Sequence, residues 1–129
     1  MRLTKLCLTV LFLALPARIS AYAAELVMFE RAGCAWCQRW SEEIGPIYPK
    51  TAEGALAPLR HINLDTDVPA EFRFDPPVRY TPTFVLVDKG REVGRITGYM
   101  NDEAFWGLLG AMLARLPRDE AGKRQPGGG

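Results

Sequence analysis

Cys34 and Cys37 stand three positions apart between an unbroken apolar run and a helical repeat, and this arrangement limits the possible folds more than any other feature of the chain. Leu26-Val27-Met28-Phe29 has no polar interruption, as expected of a short strand buried on both faces. Gly33 ends it. Trp36, Trp40 and Ile44 then recur four apart, the helical period, until Gly45-Pro46 stops the repeat. The dithiol is therefore placed where a strand turns into a helix, with Cys34 at the helix start. Closing so short a loop is worth about 2 kcal/mol by chain entropy, so the spacing serves chemistry better than stability.

That location has chemical consequences. A sulfur at the first helical turn lies beside unpaired backbone N–H groups and the positive end of the helix dipole, which favour thiolate over thiol. A cysteine of ordinary pKa near 8.5 is only about 3% thiolate at pH 7, whereas one lowered to about 7 is half ionised. Cys34 is thus expected to be the nucleophile. Cys37, one turn further in and less exposed, is placed to resolve a mixed disulfide by attacking Cys34.

Beyond Gly45 the chain continues to alternate. Leu59 to Asp65 reads as a strand with Ile62 and Leu64 on one face, followed by a loop at Asp65-Thr66-Asp67. Ala70 to Phe74 suits a short helix, stopped by Pro76-Pro77. Thr83 to Val87 and Glu92 to Ile96 form a hairpin about Asp88-Lys89-Gly90. A last helix opens with Asn101 as N-cap and Asp102 and Glu103 in its first turn. Phe105, Leu108, Leu109, Met112, Leu113 and Leu116 make one apolar stripe expected to pack on the sheet, and Pro117 is expected to end the helix.

The two ends read differently. Residues 1–23 have a basic start at Arg2 and Lys5, an apolar run from Leu6 to Leu15, and the small-residue pattern Ala21-Tyr22-Ala23, the layout of a cleavable secretory signal peptide. The run is well short of the roughly 20 residues that span a bilayer. Export to the periplasm with cleavage after Ala23 is the expectation, and Cys7 is lost with the peptide. Residues 117–129 are polar and glycine-rich and are expected to form a disordered tail. Between them, residues 24–116 are long enough for one domain and too short for two. Without Arg2, Lys5 and Arg18, 13 basic residues face 15 acidic ones, a net charge of −2 that argues against nucleic acid as a partner. His61 is the only histidine, so Cys34 and Cys37 lack the further ligand that a tetrahedral zinc site needs. No metal and no cofactor beyond the redox-active Cys34–Cys37 pair is expected.

Val27-Met28-Phe29 before Cys34-Ala35-Trp36-Cys37, then Ile62-Asn63-Leu64-Asp65, Tyr80-Thr81-Pro82-Thr83-Phe84, Lys89-Gly90-Arg91-Glu92-Val93 and Gly98, resembles the thioredoxin superfamily in order and approximate spacing. The resemblance implies an α/β thioredoxin fold, a central mixed sheet flanked by helices in a single domain. It also implies thiol–disulfide exchange by Cys34 and Cys37, and a cis bond between Thr81 and Pro82 facing the dithiol, where it leaves a backbone edge for an extended client. More loosely, the chain is similar to short exported thioredoxin-like proteins of the SoxS type, encoded with bacterial sulfur-oxidation systems. Their example implies a protein that keeps a carrier protein's cysteine in its thiol state. A monomer acting as a reductant, supplied with electrons by a membrane transporter of the DsbD/CcdA type, is expected.

Several residues depart from thioredoxin itself. Ala35-Trp36 replaces Gly-Pro, and Gly33 replaces a tryptophan. Met28 falls where thioredoxins carry a buried aspartate, so that proton acceptor for Cys37 is missing. Glu30 is close in sequence but is expected to point to the opposite side of the strand from Met28. Trp36 either covers the helix end or contacts a client. Arg31 and Arg39 are read as solvated charges, His61 as a strand residue with a satisfied ring, and Tyr99 as a packing residue. Two functional classes follow: an enzyme exchanging disulfides with a client protein, or a redox-responsive binding module without turnover.

Overall fold

The computed structural model describes residues 24–117, so the proposed signal peptide and all but the first residue of the proposed tail lie outside the described residues. Strand β1 (Ala24–Glu30) leads into helix α1 (Ala35–Glu43), helix α2 (Ala52–Leu56) and strand β2 (Leu59–Asn63). The hairpin strands β3 (Thr83–Asp88) and β4 (Arg91–Thr97) and helix α3 (Asp102–Leu113) complete the chain. The four strands form a mixed sheet in the order β2-β1-β3-β4. β1 runs parallel to β2 and antiparallel to β3, and β4 is antiparallel to β3.

β1 is buried on both faces because it lies inside the sheet with cover above and below. Leu26, Val27, Met28 and Phe29 are all fully buried. Period-two alternation sends Leu26 and Met28 into one core with Trp40, Tyr48, Phe84, Leu86, Phe105 and Leu109, while Val27 and Phe29 enter a second with Phe72, Val85 and Val87. The first core is covered by α1 and α3. The second is covered by the irregular segment after β2, where Leu64, Val68, Phe74 and Val78 pack. Within that segment a 3-10 turn at Ala70–Phe72 stands where the sequence suggested a short helix through Phe74.

Three further expectations about the helices need correction. The stretch between Gly45 and Pro58 had no predicted element, yet it holds a 3-10 turn at Tyr48–Lys50 and α2, capped by Thr51 Oγ1 accepting from the Gly54 N–H at 3.0 Å. Leu108 does not join the buried stripe of α3 and is 53% exposed. The helix is rotated so that Trp106 stacks on Tyr48, ring centroids 6.0 Å apart, a partner the sequence reading had not placed. Finally, α3 ends at Leu113 before Pro117 is reached, because Arg115 and Leu116 donate to carbonyls three residues back and tighten the last turn. The Asn101 cap and the acidic first turn stand as read, with Asn101 Oδ1 accepting from the Ala104 N–H at 2.8 Å. Gly94 lets α3 approach β4, since a Cβ there would stand 3.1 Å from Met112 Sδ.

Candidate active site

The functional end of the molecule is built by strand ends. β1 finishes at Glu30, and Phe29 pairs with Thr83 at the start of β3, which in turn pairs with Thr97 at the end of β4. The loop to α1, the Thr81–Pro82 segment and the Gly98-Tyr99-Met100 exit therefore meet at one end of the sheet. Gly33 turns the chain into α1 with φ +75°, a conformation that side chains disfavour.

Cys34 is the N-cap of α1. Its backbone is extended, and its Sγ accepts from the Cys37 N–H at 3.2 Å, the role an oxygen normally plays at a cap. No acidic side chain lies in the first turn to offset the positive end of the dipole at that sulfur. The two sulfurs form a disulfide, with Cα atoms 5.2 Å apart. Their surroundings differ: Cys34 is half-buried, whereas Cys37 is 4% exposed and belongs to the helix-covered core. Of the two residues, Cys34 is the more accessible.

The other sequence candidates lie at the same end of the sheet. Trp36 is 52% exposed, with the Arg39 guanidinium 5.5 Å from its ring centroid. The Thr81–Pro82 bond is cis. Pro82 is buried and its carbonyl accepts from the Gly98 N–H at 2.7 Å, while Thr81 is half-buried. Tyr80 and Met100 are both largely exposed at this end, large apolar groups that the sequence reading did not single out. Among the described residues no cluster of three or more His, Cys, Asp and Glu could hold a metal ion.

The charged residues are more engaged than expected. Arg31 is paired with Asp65 at 3.1 Å and also donates to the Arg79 carbonyl at 3.3 Å, bracing the segment that covers the second core. Arg39 donates to Glu43 at 2.8 Å. Tyr99 is buried, as a packing residue would be, but its hydroxyl also donates to Glu43, tying the exit of β4 to α1. That hydrogen bond and the Arg39 pair hold the Glu43 carboxyl below its usual range. Burial, followed by the Glu43 contact, pushes the Tyr99 phenol up to about 12.

Glu30 is the largest departure from expectation. Residues two apart on a strand share a face, so Glu30 lies on the Met28 side and not opposite it. It lines a cleft of about 550 Å³ together with Cys34, Cys37, Gln38, Ser41 and Asn63. The alternation of β1 carries the signal, which the sequence reading applied with the wrong parity.

A family model described as a thioredoxin-like domain matches residues 21–113. The chain belongs to the thioredoxin-like family. It is 39% identical to the periplasmic thioredoxin SoxS from Paracoccus pantotrophus in its reduced form, covering 71% of this chain and 97% of that one with a TM-score of 0.68. Thioredoxins from Halobacterium salinarum (22% identity, 74% and 79% coverage, TM-score 0.55) and Fasciola hepatica (21%, 70% and 82%, 0.55) share the fold. No curated protein matches the chain. With this family, this fold and a Cys34–Cys37 disulfide at the start of α1, the thioredoxin-like chain is a thiol–disulfide oxidoreductase.

Proposed function

We propose that this oxidoreductase works in the periplasm as a reductant of a partner protein's cysteine, with Cys34 as nucleophile and Cys37 as resolving thiol. The asymmetry of the pair carries the reading: Cys34 is the reachable cap of α1, and Cys37 is 4% exposed behind it. The Cys34 thiolate attacks a client disulfide, one client sulfur leaves, and a mixed disulfide forms on Cys34. The Cys37 thiolate then attacks Cys34 Sγ, which closes the Cys34–Cys37 disulfide and releases the second client sulfur. Two electrons have passed to the client. Trp36, with Thr81 and Pro82, forms the client-contacting surface, the aromatic ring supplying apolar contact and the Thr81–Pro82 segment an edge for extended backbone.

Likeness to a periplasmic thioredoxin supports the compartment and, with the signal-like residues 1–23, an exported chain. The finer reading is ours: a monomer without a bound cofactor, regenerated by a membrane electron transporter of the DsbD/CcdA type, whose client is a sulfur-oxidation carrier protein. Partner trapping tests this. Cys37→Ser should accumulate a reductant-sensitive mixed disulfide on Cys34 with one dominant periplasmic client, and Cys34→Ser should trap nothing. Turnover of a generic protein disulfide by the intact dithiol separates catalysis from redox-controlled binding, and its absence would remove the enzymatic reading.

A further inference from the structure

With Met28 fully buried where a carboxylate would serve Cys37, the second half of exchange lacks an evident proton acceptor. Cys37 must lose its proton before it can attack, and the helix N-terminus that assists Cys34 weakens within a turn. Among the described residues, the cleft reaching Cys37 is lined by one carboxylate, Glu30. Gln38 and Ser41 of α1 and Asn63 of β2 line it too, and none of them ionises. Arg31 also borders it, but its guanidinium is engaged by Asp65 and the Arg79 carbonyl. Outside the cleft, His61 Nδ1 on the edge strand β2 stands 3.3 Å from Glu30 Oε2.

We infer that Glu30 is the proton acceptor for Cys37, with His61 as its positioning residue. The inference rests on the exchange reading above and adds the group that drives its second step. In the mixed-disulfide state the Cys37 S–H gives its proton to the Glu30 carboxylate, directly or through water in the cleft. The resulting thiolate forms the Sγ–Sγ bond to Cys34 while the Cys34–client bond breaks and the client departs as a thiolate. Glu30 then returns the proton to solvent or to the departing sulfur, so no further oxidant or reductant enters. In the reverse direction protonated Glu30 supplies the proton as Cys37 becomes the leaving group. His61, beside Glu30 Oε2, restricts the positions the carboxylate can take.

Stopped-flow reaction of the full reduced protein with 5,5′-dithiobis(2-nitrobenzoate) separates the two steps, because attack by Cys34 releases one coloured thiolate and resolution by Cys37 releases a second. Glu30→Gln, which keeps the side-chain shape and removes the charge, should leave the first phase unchanged and slow the second by about tenfold or more near pH 7, within the range for loss of a positioned base. Its second phase should rise with hydroxide concentration more steeply than that of the wild type. Glu30→Asp should recover much of the rate, and His61→Ala should give an intermediate loss confined to the second phase. Equal second-phase rates for wild type and Glu30→Gln across the pH range would overturn the assignment. Slowing of both phases alike would do so as well, since it would mark a structural role. Failure of the wild type to release two thiolates would instead refute dithiol exchange itself, and the Glu30 role with it.

Discussion

The two faces of the sheet are covered by different means. On one, α1 and α3 bring Trp40 and Phe105 against Phe84, with ring centroids 5.0 Å from Phe84 in both cases, and Tyr48 joins them with its hydroxyl donating to the Ala57 carbonyl at 2.7 Å. On the other, Val27, Phe29, Val85 and Val87 lie beneath a segment with only a 3-10 turn, anchored by Phe72, by Phe74 edge-on to Phe29, and by Arg31 reaching from the active-site loop. A regular helix offers a rigid stripe and an irregular segment can shift, so the first face holds the dithiol in place while the second tolerates adjustment.

The largest effect should come from Trp40→Ala, which removes the ring shared by α1, β3 and α3 and should cost about 4 kcal/mol in denaturant unfolding, as large aromatic truncations in rigid cores do. Phe72→Ala should cost less, about 2 to 3 kcal/mol, because its irregular surroundings can settle into the space. An equal cost at the two positions would break the contrast. Arg31→Ala should sharpen it: an exposed pair is worth less than about 1 kcal/mol globally, so the visible change should be faster amide exchange confined to residues 65–79.

The smallest effect is a pH dependence on the helix-covered side. The folded state depresses the Glu43 carboxyl, so its stabilisation is present above the ordinary value of 4.5 and is lost as pH falls through the lower folded value. Tyr99 has the opposite sense, contributing below an unfolded value near 10 and losing that contribution as pH rises toward about 12. Glu43→Gln should therefore flatten the acid limb of the unfolding midpoint against pH and weaken the alkaline one. Unchanged limbs would show that the Arg39–Glu43–Tyr99 chain does not tie the β4 exit to α1.

What could be read from the letters was local. Apolar runs, the four-residue recurrence of Trp36, Trp40 and Ile44, the Asn101 cap and the turn at Asp88-Lys89-Gly90 each act over one or two turns of chain, and the observed elements follow them. Cys34 at the head of α1 is legible for the same reason. The segment from Pro46 to Pro58 was not, because its short elements depend on Tyr48 packing beneath Trp106, 58 positions later. Leu108 was misplaced by the same contact, which turns α3 on its axis.

By itself, then, the sequence determined the order and type of the main elements, the dithiol at a strand-to-helix junction and the family likeness, since periodicity, capping and spacing act between near neighbours. Only the tertiary structure decided which core each face of a strand meets, what covers the second face, and which charges are engaged. Arg31 with Asp65 and Tyr99 with Glu43 are 34 and 56 residues apart, contacts that exist only once the strands have paired in register. Glu30 shows the boundary most clearly: strand parity already assigned its side, but its place in one cleft with Cys37 required the sheet and α1 to be assembled.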